Sequence, residues 1–282
     1  MPSAPRIEFC DASLSYGRPS DGTEALSGLR FSIEAGASVA LIGPSGCGKS
    51  SALRMIAGLV HPTAGEVLVG GSPVGKPRQS TAFIPQNLGL FPWKTALGNV
   101  VVGLSIRKLP KAEARRRGLE AMREVGLEGF ESAYPHELSG GMQQRLAFAR
   151  AIALDMDVLL MDEPLSAIDA LLREQLQDAL LDLWLRSGHT QVLVTHSIEE
   201  AVYLGRRILV LSGRPGHLVA DIANPGAGER SYRDSAGFAA VCKQVRAALD
   251  GSPAPADRSG GLSFREVSPE AVGGEGGCSH EG

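Results

Sequence analysis

Residues 43–50 read Gly43-Pro44-Ser45-Gly46-Cys47-Gly48-Lys49-Ser50, and they match the pattern G-x-x-x-x-G-K-[S/T]. An apolar run at 38–42 precedes this stretch, and apolar residues at helical spacing follow it over 50–59. The stretch therefore lies between a predicted strand and a predicted helix, the context in which this pattern binds phosphate. A chance glycine turn is the alternative, because the chain contains 35 glycines.

Each part of this phosphate loop has a chemical role in binding a nucleoside triphosphate. Glycines let successive backbone N–H groups point at phosphate oxygens, and the N-terminus of the following helix adds positive potential. We expect Lys49 to reach the β- and γ-phosphates and Ser50 to hold Mg²⁺, with Ser51 also among the nucleotide-binding residues. We interpret Cys47 as a small side chain filling a permitted position, not as an oxidation sensor. The predicted cofactors are ATP and Mg²⁺.

A buried strand ending in two acids supplies the second element that this chemistry needs. Residues 158–161 are apolar, and Asp162 and Glu163 follow them directly. Because side chains alternate along a strand, the two carboxylates should point in different directions. We predict that Asp162 serves Mg²⁺, through its water shell, and that Glu163 is the general base facing the attacking water. Taken alone, such a pair would be an ordinary solvent-facing strand end.

The rest of the chain predicts strands and helices that alternate around the loop. Residues 6–16 and 28–33 are extended segments separated by a turn, and they predict an N-terminal β region. Further strands are predicted at 38–42, 66–69, 80–84, 158–161, 192–195 and 207–211, and helices at 50–59, 111–125, 143–153, 171–186, 198–204 and 235–249. Pro110 suits the start of the second helix. The alternation predicts an α/β fold with a mostly parallel core.

The segment Leu138-Ser139-Gly140-Gly141-Met142-Gln143 resembles the signature motif of the ABC ATPase family. Physically, it places a serine and two glycines at a helix N-terminus, which makes a second anion-binding site. The resemblance implies a P-loop NTPase core with a mostly parallel sheet, an N-terminal antiparallel β region and an inserted helical subdomain. It also implies that Ser139, Gly140 and Gly141 close on ATP bound by a second copy of the chain, in a head-to-tail dimer.

The resemblance covers roughly residues 6–222 and divides the chain. It predicts a nucleotide-binding core at 1–86 and 144–224, with a helical insertion at 87–143 that ends in the signature motif. Residues 225–250 form a predicted C-terminal helical extension. Residues 251–282 are rich in Gly, Ser, Pro and Glu, and we predict a disordered tail. Cys278 and His280 lie in that tail and are too few for a metal site.

Four single residues match lesser motifs of the family. The resemblance implies that Gln86 reaches Mg²⁺ and the hydrolytic water and senses the membrane partner. It implies that His196 contacts the γ-phosphate and that Asp169 bridges the two subunits near the catalytic centre. Tyr16 matches the aromatic residue that stacks on adenine, although a tyrosine at a strand end is more often half-buried packing. The expected catalytic residues are thus Glu163, His196 and Gln86.

Two short stretches, 88–100 and 211–216, are similar to importers of the nitrate, sulfonate and taurine group. The resemblance implies that the region after Gln86 forms a groove for a coupling helix of the membrane subunit. Leu90, Phe91 and Trp93 are candidate apolar contacts there, because exposed aromatics often dominate interfaces. Packing of the same side chains inside the helical insertion is an equally open alternative.

Composition excludes several other classes of protein. A formal net charge of −3 gives no broad basic field, so nucleic acid is not an expected partner. The four cysteines lack paired metal-ligand spacing, which fits reduced thiols in a cytosolic protein. No stretch of about 18 apolar residues occurs, so we expect a chain that does not span a membrane. Because Glu113, Glu120 and Glu124 lie nearby, we interpret the arginines at 115–117 as a solvated helix face.

The sequence therefore predicts an ATPase subunit that powers an ABC importer for a small anionic solute through ATP-driven dimer closure. Its predicted partners are a second copy, integral membrane permease subunits and, indirectly, a periplasmic or extracellular solute-binding protein, with the chain at the cytoplasmic membrane face. The alternative is a soluble ABC ATPase such as one for iron–sulfur cluster assembly. A non-catalytic scaffold is disfavoured, because Glu163 and His196 are both present.

Overall fold

The N-terminal β region forms an antiparallel sheet of four strands. The computed structural model describes residues 4–17, 22–166 and 170–251. The strands of this first sheet are β1 (Ile7–Tyr16), β2 (Thr23–Ile33), β4 (Ala64–Val69) and β5 (Ser72–Pro73), in the order β2-β1-β4-β5. Ile7 pairs with Ile33 on one side and Val69 on the other. This arrangement confirms the predicted antiparallel region.

The second sheet has six strands and is mostly parallel, as predicted. It consists of β3 (Ser38–Ile42), β6 (Thr81–Ile84), β7 (Val158–Asp162), β8 (Thr190–Thr195), β9 (Arg207–Leu211) and β10 (Leu218–Ala223). Their order is β10-β9-β3-β8-β7-β6, and only β10 runs antiparallel to its neighbour. Every residue of β3, β7 and β8 is buried. Such continuous apolar runs are typical of central parallel strands covered on both faces.

Seven α-helices surround the sheets in the described part of the chain. They are α1 (Lys49–Ile56), α2 (Ala96–Ile106), α3 (Lys111–Glu124), α4 (Gly140–Ala153), α5 (Ala170–Ser187), α6 (Ile198–Leu204) and α7 (Ala236–Leu249). Pro110 is the residue before α3, as expected. The sequence did not predict α2, β5 or β10. Residues 96–106 include three consecutive valines and two glycines, which disfavour a helix locally, so tertiary packing decides this segment.

The three helices α2, α3 and α4 form a helical subdomain with a core of its own. Leu97, Val100, Ala121 and Leu146 are among its buried side chains. On the solvent side, the arginines of α3 pair with nearby acids: Arg116 with Glu113 and Glu120, and Arg117 with Glu113. The structure therefore places these arginines on a solvated, internally paired helix face. Helix α4 begins at Gly140, three residues before its predicted start at 143, and ends at Ala153 as predicted. The predicted end of the insertion at 143 therefore falls inside this helix.

The C-terminal extension packs against the core. Val241 and Val245 of α7 are buried with Ile208 and Val210 of β9. The described residues contain no helix long and apolar enough to cross a membrane. Except for Gly251, the tail predicted at 251–282 lies outside the described residues, and so do Cys278 and His280.

Candidate nucleotide-binding and catalytic site

The phosphate loop lies at the carboxyl end of β3, near the middle of the sheet, and turns directly into α1. Its tight course depends on glycine. Gly48 has a φ of 95°, and a Cβ there would lie 2.5 Å from Leu26 Cδ2 of β2. A side chain at this position would both strain the backbone and collide with the neighbouring strand. Glycine at position 48 therefore lets the loop pass close against β2.

Lys49 is buried inside the curve of this loop. Its Nζ donates to the backbone oxygens of Gly43, at 2.9 Å, and Pro44, at 2.8 Å. The ammonium group thus lies at the centre of the loop. Between Pro44 and Lys49 the loop consists of Ser45, Gly46, Cys47 and Gly48. Because an ammonium has three donors, it is suited to bind phosphate oxygens at the same place. The sulfur of Cys47 is fully buried, as expected of a space-filling side chain.

Ser50 and Asp162 come together although 112 positions separate them. The Ser50 hydroxyl donates to Asp162 Oδ1 at 2.8 Å. Burial raises the pKa of Asp162, while the Ser50 hydrogen bond and the charges of Arg54 and Lys49 oppose that shift. Mg²⁺ prefers oxygen ligands, one or two of them carboxylates, together with substrate phosphates. The donor set therefore fits the ion that the sequence predicted at Ser50 and Asp162.

The three expected catalytic side chains come together, because Gln86 and His196 both approach one oxygen of the Glu163 carboxylate. Gln86 Nε2 lies 3.2 Å from Glu163 Oε2, and His196 Nδ1 lies 3.3 Å from the same atom. The three residues follow β6, β7 and β8, which are adjacent parallel strands. Their carboxyl ends share one edge of the sheet, which explains how distant residues converge. Gln86 is thus close to Glu163, and its proposed contact with Mg²⁺ remains a prediction.

The backbone at Glu163 is fixed by surrounding elements. Glu163 has a φ of 49°, and its N–H donates to Val194 O of β8 at 2.8 Å. The Gln144 side chain of α4 donates to Pro164 O at 2.5 Å, and Arg173 Nε of α5 donates to Leu165 O at 3.3 Å. Gln144 was missed from the sequence, because nothing in the local pattern distinguishes a glutamine that bonds across the fold.

The signature motif begins α4. Ser139 is its N-cap residue, and the serine Oγ accepts from Met142 N at 3.3 Å. Ser139 and Gly140 are exposed, whereas Gly141 is buried. A Cβ at Gly141 would lie 2.0 Å from Leu172 Cδ2 of α5, so α4 and α5 pack closely at this position and a larger residue would displace the leucine side chain. The exposed end of α4 leaves its first N–H groups accessible to an anion.

Of the two remaining predicted residues, the structure describes Tyr16 but not Asp169. Tyr16 ends β1 with 42% of its surface exposed, and its hydroxyl lies 3.0 Å from Ser51 Oγ on α1. This hydrogen bond places an exposed aromatic ring next to the phosphate loop, where it is available for stacking. Asp169 and its neighbour Ile168 lie outside the described residues.

A family profile described as ABC transporter matches residues 26–166, half of the chain. The chain belongs to the ABC transporter family. As an ABC ATP-binding subunit it is an ATPase coupled to transport across a membrane, and ATP is its nucleotide. These findings confirm the expected family, enzyme class and nucleotide.

Relatives of this ABC subunit include two proteins of named function. The aliphatic sulfonates import ATP-binding protein of Bacillus cereus is 40% identical over 239 residues, covering 85% of this chain and 94% of the relative. The taurine import ATP-binding protein of Rhizobium johnstonii is 40% identical over 242 residues, covering 83% and 91%. Both names confirm the resemblance to the sulfonate and taurine importer group.

A solved structure supports the fold of the ABC subunit. It is a dimeric post-hydrolysis state of an ATP-binding cassette bound to ADP and phosphate. It superposes with a TM-score of 0.70 at 31% identity and covers 77% of this chain and 98% of its own. The similarity confirms the predicted ABC ATPase fold.

The apolar residues after Gln86 were expected either to contact a membrane subunit or to pack inside the helical insertion. The structure gives a different answer for each of them. Leu90 packs against both the helical subdomain and the core, Phe91 is half-buried, and Trp93 is 70% exposed. The rings of Phe91 and Trp93 lie 5.6 Å apart. In the ABC subunit, Trp93 is therefore the side chain of this group that is open to a partner.

Buried Asn99 fixes this aromatic loop, and the sequence did not reveal it. Its Oδ1 accepts from Phe91 N at 2.7 Å, while its Nδ2 lies 3.1 Å from the oxygens of Phe91, Lys94 and Thr95. The signal in the sequence was an asparagine within a mostly apolar segment. One side chain thus bonds to four backbone groups of residues 91–95.

Proposed function

We propose that this ABC subunit hydrolyses ATP to power the import of a small anionic solute of the nitrate, sulfonate or taurine kind. The observation that carries the catalytic part is the meeting of Gln86, Glu163 and His196 at one carboxylate oxygen. The import of such an anion rests on relatives named for sulfonate and taurine import. The subunit would work at the cytoplasmic face of the membrane.

In the proposed mechanism, the phosphate loop binds the triphosphate through its backbone N–H groups and Lys49. Ser50 and Asp162 would hold Mg²⁺, with Gln86 as a further ligand, and the ion would neutralise charge on the phosphate oxygens. Glu163 accepts the proton of the attacking water, an effect typically worth about 10²- to 10⁴-fold in rate. His196 and Gln86 orient Glu163 and the groups around it from two sides.

The signature residues act on a second copy in this proposal. Ser139, Gly140 and Gly141 present an exposed helix N-terminus, which is suited to the γ-phosphate of ATP bound by the partner. Asp169 bridges the two copies, and Tyr16 stacks on adenine. A dimeric cassette among the solved relatives supports this arrangement. Closure around ATP would transmit force to integral permease subunits, and a periplasmic or extracellular solute-binding protein would deliver the solute.

Affinity isolation of the tagged full chain from detergent-solubilised membranes tests the partner. We expect a polytopic membrane subunit to co-purify, and the Trp93→Ala variant to recover much less of it. Tyr134→Ala is the matched control, because Tyr134 is also an exposed aromatic. Recovery of soluble partners alone would favour an iron–sulfur cluster assembly ATPase and overturn the importer proposal.

Uptake of labelled anions by whole cells tests the solute class. Cells that lack this chain should fail to take up labelled taurine or an alkanesulfonate, and the wild-type chain should restore uptake where Lys49→Ala does not. Labelled nitrate is measured in parallel, because it belongs to the same solute group. Normal uptake of all three anions in the deletion strain would contradict the proposed solute class.

A further inference from the structure

A ring of hydrogen bonds surrounds the backbone of His196. Thr195 ends β8, and Ser197 is the N-cap residue of α6. Ser197 N donates to Thr195 Oγ1 at 3.0 Å, and Glu200 N donates to Ser197 Oγ at 3.3 Å. The Thr195 hydroxyl in turn donates to Glu200 Oε2. The ring therefore connects the residue before His196 with the first turn of the helix after it.

Glu200 departs from the usual behaviour of a glutamate in this position. Ser197 and Glu200 have the spacing of a capping box, in which the glutamate normally accepts from the backbone N–H of the N-cap residue. Here that N–H bonds to Thr195 Oγ1, and the carboxylate of Glu200 reaches past Ser197 to the Thr195 hydroxyl. The glutamate thus fixes the strand end and not merely its own helix.

The burial of the Glu200 carboxylate costs free energy. The residue is only 3% exposed, and its Oε1 is buried with no hydrogen-bond partner among the described residues. Burial raises the pKa of this carboxyl, although the Thr195 hydroxyl and the charges of Arg173 and His196 act in the opposite direction. A buried polar atom that lacks a partner costs about 1–3 kcal/mol. A capping role alone would not require this cost.

The His196 side chain depends on its backbone for its position. The side chain is 60% exposed, and its Nδ1 contacts Glu163 Oε2 at 3.3 Å. Because this imidazole is largely exposed, the backbone of residues 195–197 sets its orientation. Any change in the ring of hydrogen bonds would therefore move His196 relative to Glu163.

We infer that Glu200 is a positioning residue for His196, which it orients by holding Thr195 against the N-terminus of α6. The inference rests on the proposed catalytic role of His196. Glu200 is buried and its carboxylate bonds to Thr195, so in this inference it acts on turnover through the histidine. Its chemical requirement is an acceptor of the right length, which glutamine also supplies.

Steady-state ATP turnover of the purified full chain tests the inference. We expect Glu200→Ala to lower kcat about 10-fold with little change in the KM for ATP, since an oriented group is displaced but the phosphate loop is intact. Thr195→Val removes the other end of the same hydrogen bond and should give the same result. Glu200→Gln and Thr195→Ser keep acceptor and donor, so they should retain most of the turnover.

A His196→Ala background separates positioning from general structural damage. Glu200→Ala should cause no further loss of kcat there, because the histidine through which it acts is gone. An equal loss in both backgrounds would overturn the inference and assign Glu200 a structural role only. If His196→Ala itself leaves turnover unchanged, the proposed role of His196 fails, and the inference fails with it. Should Glu200→Ala not fold, Thr195→Val carries the same comparison.

Discussion

Glu163 adopts a backbone conformation that residues with side chains rarely use. Its φ of 49° lies in the left-handed region, which costs a non-glycine residue roughly 1–2 kcal/mol. The hydrogen bond to Val194 O and the bond from Gln144 to Pro164 O hold it there. The conformation directs the carboxylate between Gln86 and His196. The strain is thus associated with the placement of the proposed general base.

Removal of that charge gives the first prediction. Glu163→Gln keeps the shape of the side chain but cannot accept the water proton, so ATP turnover should fall at least about 10²-fold while ATP binding persists. Phosphate release and nucleotide binding are measured separately. Glu128→Gln serves as a control, because Glu128 is exposed in the helical subdomain. Unchanged turnover would remove Glu163 from its proposed role.

His189 should make stability depend on pH. Burial lowers its pKa from 6.5 to about 4, so the folded protein keeps the ring neutral. The unfolded chain takes up a proton below about pH 6.5, and the contribution of His189 to the free energy of unfolding should therefore fall by about 3 kcal/mol between pH 6.5 and 4. Denaturant titrations across this range check the slope. His189→Gln should reduce it, whereas His61→Gln, at an exposed site, should not.

At the scale of residues, local patterns predicted the phosphate loop, the acidic pair and the signature motif. Each is a contiguous run whose chemistry can be understood from spacing alone. Gln144, Asn99 and Glu200 were missed because their partners are distant in sequence or are backbone atoms. Such polar residues become visible only when the fold brings a buried acceptor or donor to them.

At the scale of elements, α2 was the principal omission. The valines at 100–102 favour extended structure locally. The helix is nevertheless stabilised by its N-cap residue Thr95 and by burial of Leu97 and Val100 against α3 and α4. The edge strand β10 was also missed. Its residues alternate between buried and more exposed positions, and Asp221 pairs with Arg207 on β9.

The loop before α2 depends on a single buried amide. Asn99→Leu would leave Phe91 N and several carbonyls without their partner, so we expect a loss of about 2–4 kcal/mol in the free energy of unfolding and a loosened Trp93. Thermal unfolding measures the first effect, and quenching of Trp93 fluorescence measures the second in a Trp184→Phe background. Ser105→Ala, at an exposed site of α2, is the control. Unchanged stability and quenching would show that packing alone fixes the loop.

At the scale of the molecule, the C-terminal extension is part of the cooperative structure. Arg230 pairs with Asp178 and Asp182 of α5, and Arg233 pairs with Glu174 and Asp178. Val245 of α7 is fully buried against the sheet. The extension thus contacts both the helix that follows the catalytic loop and the strands beside the phosphate loop. Sequence periodicity predicted the helix but not these contacts.

This packing predicts one unfolding transition for core and extension. Val245→Ala should lower the free energy of unfolding by about 1–3 kcal/mol while a single calorimetric transition remains. Lys243→Ala, on the exposed side of α7, should have little effect. A separate transition at low temperature would indicate that the extension unfolds independently.

The overall α/β architecture was predictable because buried parallel strands leave continuous apolar runs in the sequence. The strand order was not, because it depends on which crossovers pack against which face. Only the structure places β3 between β8 and β9 and β6 at the edge. That order brings the ends of β6, β7 and β8 together and so creates the meeting of Gln86, Glu163 and His196.

The helical subdomain leaves the sheet after β6 and returns at β7, and these two strands are neighbours at one edge. The connection therefore never crosses another strand. Over evolutionary time, such an insertion can change length and surface without altering the order of any strand in the nucleotide core. Under the proposed contact of Trp93 with the permease, variation of α2 and of this loop would change the membrane partner and leave the residues of the nucleotide core as they are.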